Sequence, residues 1–390
     1  MKILMIHQGA ELYGSDKIFL LVVDHLSKTH SVDVILDSEG PLCERLNNTS
    51  INSLKCHDLA VLRRVKLSGF TNLLKTTFNV LRQSMYLRRK IKNGKYDIVY
   101  INTLAVITPL IACMGLSNIK VIHHLHEIQD HPKSLFRILY TLSSVLADRV
   151  ICVSQSVKTC FESMSLTNTA NKSSVIYNGL PSQQPLKSDE LDRFKMELSK
   201  NLSISDSFLI AYVARLHSWK GQVLFLDVID ALVNVHHKDV KVAFFGSAFP
   251  GYEMIFDELK AKSVSLGIDK NVYFFGFRED ARQLFLVSDI SIMGSTSPDP
   301  LPTVVLESFQ NSTPVIAYDH GGSSEMIQHG VNGALVTPLD TSKMTEEILY
   351  LIDNPSKVQE LGEAAFLRYQ EAFSLPAFLL NIEKEILGLS

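Results

Sequence analysis

Short runs of β-branched and apolar residues recur along this chain, each followed by an amphipathic stretch, and that alternation limits the fold more than any other feature. Ile3–His7, Val32–Asp37, Ile98–Thr103, Val121–His126, Val150–Ser154 and Val175–Tyr177 predict strands. Asp16–Lys28 and Phe70–Ile91 carry helical spacing, the second with Phe70, Leu73, Leu74, Phe78, Leu81 and Met85 on one face. Strands alternating with helices specify a parallel sheet. The rhythm breaks at the polar segment Pro181–Ser188 and passes through a charged helix candidate, Asp189–Lys200. It then restarts with Phe208–Arg215, Val240–Gly246, Val272–Phe277, Ile290–Gly294, Pro314–Tyr318 and Gly333–Val336. The expected architecture is α/β, with two doubly wound domains at residues 1–182 and 183–373. A chain of 390 residues exceeds what one hydrophobic core usually serves. Two helices follow the last strand, about Glu360–Phe373 and Pro376–Leu387, and the second, within 374–390, is expected to return to the first domain.

Composition removes several function classes. The richest apolar run, Leu104–Leu116, is too short to span a bilayer and contains Pro109. Met1–Ile6 reads as a buried first strand, since it breaks at His7-Gln8-Gly9 without the length or cleavage site of a signal peptide. Cys43, Cys56, Cys113, Cys152 and Cys160 are scattered and odd in number, which favours a reducing, cytoplasmic compartment. The net charge of −3 hides an asymmetry: residues 1–182 carry 21 Lys and Arg against 13 Asp and Glu, residues 183–390 carry 17 against 28. Ten basic residues lie between Leu59 and Tyr96 without one acid, which implies an anionic partner.

In open α/β sheets ligands gather beyond the carboxyl ends of the strands, so the residues that follow each strand are the first candidates. Arg215 ends one strand, and Lys220-Gly221 stands before a helix expected to begin near Gln222. Two such cations at a strand end and a helix start can converge on a pyrophosphate; solvated loop cations are the bland reading. Further on, Ser297-Pro298-Asp299-Pro300-Leu301-Pro302 precedes a helix pattern, Thr303–Gln310. Proline and an acid there are ordinary capping chemistry. Glu307, one turn inside, is placed to accept hydrogen bonds from ribose hydroxyls, and Asp299 from those of a sugar.

These segments, in order and spacing, resemble the donor domain of the family 4 retaining glycosyltransferases: Ala214-Arg215-Leu216 with Lys220-Gly221, then Phe275-Gly276-Phe277-Arg278, then Asp299 through Glu307. Gly321-Gly322-Ser323-Ser324-Glu325 and Val331-Asn332-Gly333 look like the downstream segments of that family. Gly14-Ser15-Asp16-Lys17, Gly40-Pro41-Leu42, His126-Glu127, Val153-Ser154 and Tyr177-Asn178-Gly179 resemble its acceptor domain. The resemblance implies a GT-B fold, two Rossmann-like domains facing across a cleft. It implies a retaining transfer of a sugar from a nucleotide-diphosphate donor, UDP favoured over GDP, to a glycan or lipid-linked saccharide in cell-surface polysaccharide or glycolipid assembly. By it, Arg215, Lys220, His126 and Asp299 are the catalytic candidates, with His126 donating to the donor sugar. Gly14, Ser15, Gly246, Phe277, Arg278, Leu301, Pro302, Thr303, Val304 and Glu307 are the donor-binding candidates, Phe277 and Arg278 near the nucleobase. Asp299 stands where the family usually has Glu, Pro300 and Pro302 where it often has glycine, and Ser15 at the second glycine of its N-terminal pair.

The run His123-His124-Leu125-His126-Glu127 with His131 raises zinc as an alternative. With Arg215 and Lys220 available to the diphosphate, no metal and no cofactor is expected. Along the basic stretch 63–95, Lys75, Arg82 and Arg89 repeat every seven residues beside the apolar row, resembling an interfacial helix on the cytoplasmic face of an anionic membrane. Nucleic acid is not expected, because no aromatic residues are interleaved for stacking. Competing functions are a GT-B nucleotide-sugar epimerase and a non-catalytic nucleotide-sugar-binding scaffold. A nicotinamide dehydrogenase is disfavoured, since neither half has G-x-G-x-x-G after its first strand.

Overall fold

The computed structural model describes residues 1–12, 14–62, 70–169, 171–184, 186–204, 207–248, 253–278 and 280–388. Arg63, Arg64 and Lys66 of the basic stretch, and the side chains of Phe70 and Leu73, lie outside the described residues. The chain forms two compact units, Met1–Gly179 with Leu375–Ser390, and Leu180–Ser374.

In the first unit the strands are β1 (Lys2–His7), β2 (Ser31–Leu36), β3 (Ser53–Cys56), β4 (Ile98–Asn102), β5 (Lys120–Leu125), β6 (Arg149–Cys152) and β7 (Ser173–Val175). They form one parallel sheet in the order β3-β2-β1-β4-β5-β6-β7. Its helices are α1 (Gly14–Ser27), α2 (Pro41–Asn47), α3 (Phe70–Gly94), α4 (Thr108–Cys113), α5 (Lys133–Leu146) and α6 (Gln155–Met164). The central strands are almost wholly buried: β1 from Ile3 to His7, β2 from Val32 to Leu36 and all of β4. A sheet covered on both faces selects such continuous apolar runs rather than alternation. The sequence pattern misses β3, whose half-exposed Ser-Leu-Lys-Cys at the sheet edge lacks an apolar run.

The second unit begins with α7 (Ser188–Leu202) and has a six-stranded parallel sheet: β8 (Phe208–Val213), β9 (Val240–Phe245), β10 (Val272–Gly276), β11 (Ile290–Met293), β12 (Val315–Tyr318) and β13 (Gly333–Val336). The order is β10-β9-β8-β11-β12-β13. Its remaining helices are α8 (Gln222–Asp230), α9 (Met254–Ser265), α10 (Ala281–Val287), α11 (Thr303–Phe309), α12 (Ser323–Met326), α13 (Thr341–Asp353) and α14 (Pro355–Ala372). One core cluster joins Ile210, Tyr212, Phe225, Leu226 and Ile229 to Phe244, Ile292 and Ile348; another gathers Phe194, Leu198, Ala211, Phe245, Leu284 and Phe285. Both sheets reverse direction of strand order once, between β1 and β4 and between β8 and β11, and each reversal opens a crevice at the carboxyl edge.

The last helix, α15 (Leu375–Leu387), belongs to the first unit, as expected for the GT-B fold. Phe378, Ile382 and Ile386 are buried. Lys120 Nζ on β5 donates to the Glu385 and Ile386 carbonyls at 2.8 and 3.0 Å, which ties the helix's last turn to the sheet and favours a cation there.

The face of helix α3 that packs is not the apolar row of the sequence pattern. Val80, Gln83, Ser84, Leu87 and Ile91 are buried, whereas Leu74, Phe78, Leu81 and Met85 are each more than half exposed. The buried polar pair is satisfied: Gln83 pairs with His57 at 2.9 Å and donates to Asp58 at 3.2 Å, and Ser84 Oγ donates to the Val80 carbonyl at 2.7 Å. Arg88 is also committed, donating to the Ala112 and Met114 carbonyls at 2.9 and 2.6 Å. The apolar row therefore runs along the outside with Lys75, Arg82 and Arg89, all exposed.

Because α15 is held to the first unit by a few buried side chains, Ile382→Ala is expected to cost that unit about 2–5 kcal/mol. Urea unfolding followed by hydrogen exchange should show loss of protection in β1 and α1 with β8 and α8 unchanged; equal loss in both units would contradict the assignment.

Candidate active site

In the second unit the candidate groups collect at the β8–β11 reversal. Strand β8 ends at Val213, and Arg215 follows it, exposed, its carbonyl accepting from Gln222 Nε2 at 2.8 Å. A single turn, Ser218–Lys220, leads to Gly221, which opens α8 in the left-handed region at φ +77°. A Cβ there would lie 1.9 Å from the Gly294 carbonyl oxygen beyond β11, so only glycine lets the two loops meet. Tyr212 Oη donates to the Lys220 carbonyl at 2.5 Å and Thr296 N to the Trp219 carbonyl at 2.8 Å, which fixes the turn from both sides.

The Lys220 ammonium is the centre of this arrangement. It lies 3.9 Å over the Trp219 ring and donates to Asp299 Oδ2 at 2.5 Å, with both side chains largely buried. Asp299 is held in turn by its backbone, its carbonyl accepting from Gly322 N at 2.7 Å. The sequence pointed to Lys220 and Asp299 separately; their pairing across 79 residues is a product of the fold. His217 registers the local field: burial, then the charges of Arg215 and Lys220, hold its pKa below the ordinary value. Burial works against any charge there; only the part of the shift that comes from the two cations favours an anion.

The other candidates divide by what they touch. Phe277 is two-thirds exposed just past β10. Arg278 beside it is clamped within the unit: it donates to Glu197 on α7 and to both Asp280 oxygens, and its guanidinium lies 5.4–5.8 Å from the Phe194, Phe245 and Phe275 rings. Of the two, Phe277 is the one left exposed, while Arg278 fixes the loop. Gly246 has φ +146°, and a Cβ would lie 1.9 Å from the Ala214 carbonyl oxygen, so its glycine is required by the approach of β8's exit to β9. Leu301 and Pro302 are buried and Val304 packs on the core, and Thr303 and Glu307 are the polar side chains of this stretch, both half-buried on the seven-residue α11.

In the first unit, Gly14 and Ser15 open α1 and are half-buried. His126 follows β5 and its Nε2 lies 2.9 Å from Asn102 Oδ1. Burial, then the neighbouring rings of His124, His7 and His123, press its pKa well below the ordinary range, so it is neutral. The rest of the histidine run is used internally: His123 bonds Ser143 Oγ at 2.8 Å and the Thr103 carbonyl at 2.9 Å, and His124 bonds Tyr100 Oη at 2.5 Å. His131 pairs with Asp130 at the surface. Among the described residues no three His, Cys, Asp or Glu side chains converge as a metal-ligand set. Sequence reasoning missed His7 and Asn102, the last residues of β1 and β4; their position at the strand reversal was the available signal.

A two-unit α/β chain with parallel sheets of seven and six strands fits the GT-B class. The chain matches glycosyl transferases group 1 over residues 194–368 and glycosyltransferase family 4 over residues 14–184. Spore coat protein SA of Bacillus subtilis is 21% identical across 85% of this chain and 88% of its own length. Alpha-D-kanosaminyltransferase of Streptomyces kanamyceticus is 22% identical across 70% of this chain and 72% of its own. Anabaena Alr3699/HepE, solved in complex with UDP and glucose, superposes with a TM-score of 0.82 at 24% identity over 99% of both chains, a likeness of fold. The chain is a group 1 glycosyltransferase of family 4, and hence a transferase.

Glu127 gives this site a pH signature. Burial raises its carboxyl from 4.5 to about 7, partly offset by the Leu104 and His126 N–H groups that donate to Oε2 at 3.0 Å each. The folded state then holds a proton that the unfolded chain has released, so this group's contribution to stability falls as pH rises from about 4.5 to 7. Comparing thermal midpoints of wild type and Glu127→Gln, the wild type should lose ground steadily across that window and level off above it. A constant difference between pH 4.5 and 8 would show that Glu127 keeps an ordinary affinity for its proton.

Proposed function

We propose that this transferase takes a sugar from a nucleotide-diphosphate donor held by the second unit and passes it, with retention of anomeric configuration, to a glycan or lipid-linked saccharide. The observation that carries the reading is the Lys220 ammonium, set between Trp219 and Asp299 beside Arg215 at the strand reversal. Breaking the bond between the anomeric carbon and phosphate leaves an electron pair on the diphosphate. Arg215 and Lys220 are the fixed charges that would stabilise it. Lys220 has three donors, so it can keep Asp299 and still meet a phosphate oxygen. Asp299 would then sit between phosphate and sugar, accepting from a sugar hydroxyl, while Glu307 accepts from the ribose. The acceptor oxygen attacks the anomeric carbon from the leaving-group face, and its proton passes to the departing phosphate. That route asks for no metal ion, and a UDP-sugar is the favoured donor, in keeping with the UDP and glucose bound to HepE.

Lys220→Ala is expected to lower turnover by about 10² to 10³, the loss that follows removal of one charge-stabilising donor. A thermal-shift panel of UDP, GDP and their sugars identifies the donor first, and wild-type turnover by the purified Lys220→Ala enzyme would rule out the assignment. Accumulation of a free epimerised sugar without acceptor would instead favour an epimerase.

We also assign the outer face of α3 to an anionic lipid surface. Its support is the exposed row Leu74, Phe78, Leu81 and Met85 beside exposed Lys75, Arg82 and Arg89 on one helix. Apolar side chains that enter the interface with cations level with headgroups describe a peripheral helix, which suits an acceptor carried on lipid. The protein should co-sediment with vesicles containing anionic lipid and not with neutral ones, and Phe78→Glu with Leu81→Glu should abolish it. Equal binding to both vesicle types would remove this role.

A further inference from the structure

A chain of buried polar side chains crosses the strand reversal of the first unit and ends at His126. Asp16 on α1 accepts from His7 Nε2 at 2.7 Å; His7 Nδ1 lies 2.9 Å from Asn102 Nδ2; Asn102 Oδ1 lies 2.9 Å from His126 Nε2. His7, Asp16 and Asn102 are almost fully buried, and the His7 ring is stacked on Phe19 at 4.7 Å. His126, by contrast, is only partly covered. Three buried polar groups at the end of a covered sheet need a reason, since apolar side chains would pack there without unmet hydrogen bonds.

The donors and acceptors run in one direction. An ionised carboxylate only accepts, so Asp16 requires the proton of His7 on Nε2. Asn102 turns its NH2 to His7 Nδ1, and an amide NH2 only donates, so that nitrogen is the acceptor and carries no proton. That leaves the Asn102 carbonyl oxygen facing His126, whose Nε2 must carry the proton. A neutral imidazole protonated on Nε2 has its lone pair on Nδ1. Asp16, three side chains away, thereby decides which nitrogen of His126 is the acceptor.

We propose that Asn102, backed by His7 and Asp16, is a positioning residue that locks His126 as the Nε2–H tautomer, so that His126 meets its ligand as a hydrogen-bond acceptor through Nδ1. This rests on the reading that His126 contacts the donor sugar, and it reverses the direction expected from the family resemblance: His126 accepts the proton of a sugar hydroxyl instead of donating one. The lock has a reason in the chemistry. A histidine free to exchange tautomers offers either polarity, whereas a bare Nδ1 can only accept, so the hydroxyl that meets it must donate. It also links the Gly14-Ser15 loop, which opens the helix carrying Asp16, to the orientation of His126.

Histidine side-chain nitrogen NMR on the full chain tests the lock without any ligand. Wild-type His126 should carry its proton on Nε2 alone. Asp16→Asn leaves His126 and Asn102 untouched but lets the chain run in either direction, so the His126 signal should become a mixture; Asn102→Ala should do the same. A proton on His126 Nδ1 in the wild type, the result if His7 were an imidazolium, overturns the proposal, as does an unchanged tautomer in both variants. A merely structural chain would move stability and leave the tautomer alone. Turnover with the UDP-sugar that gives the largest thermal shift separates the underlying reading: it should fall about tenfold to a hundredfold in Asn102→Ala. If His126→Ala turns over normally, His126 does not act on the donor, whatever its tautomer.

Discussion

Parallel pairing governs this molecule. When every strand of a sheet runs the same way, every strand delivers its carboxyl end to one edge, and the residue that follows each strand meets those that follow its neighbours. In the second unit this brings the loop after β8 to the loop after β11, although nearly eighty residues separate Lys220 from Asp299. In the first it sets His7 beside Asn102 at the ends of β1 and β4. The crossover helices that parallel strands require cover both faces and leave the edge as the place where polar side chains can collect.

The two edges use their polar groups differently. At the second, the groups are ionic: Lys220 and Asp299 face each other at 2.5 Å, with Arg215 and His217 close by. Such a pair gives local positive charge a fixed position while its acid prevents an uncompensated cation. At the first, the histidines after β5 and within it are hydrogen-bonding groups rather than ions: burial, and for His124 and His126 the neighbouring rings, press their pKa values down to about 4 for His123, about 3 for His124 and well below the ordinary range for His126. A charge-rich edge suits an anionic leaving group, and a neutral directional one suits hydroxyl recognition.

Much of the fold was legible from residue pattern alone. The apolar runs of β1, β4, β8 and β12 announce buried strands, and the break near Pro181–Ser188 falls close to the passage from Gly179 to Leu180 where the units divide. Edge strand β3 escaped because its half-exposed residues are not required to be apolar. Helix α3 was legible as a helix but not in its orientation: apolar side chains at Leu74, Phe78 and Leu81 suggest a packed face, while the tertiary structure packs Val80, Leu87 and Ile91 and satisfies Gln83 through His57 and Asp58.

The sequence by itself determined the class of protein, through segments that resemble a known family, and local spacing placed Arg215 after a strand, Lys220 before a helix and Glu307 within one. Only the tertiary structure decided which of them meet and what the remaining candidates do. It paired Lys220 with Asp299, turned Arg278 inward onto Glu197 and Asp280, gave Gly246 a packing role, and joined Asp16, His7, Asn102 and His126 into one chain. The reason is physical. Helix and strand propensity act over a few neighbouring residues, whereas a hydrogen bond between side chains a hundred residues apart exists only once the sheet has fixed the register of the strands that carry them.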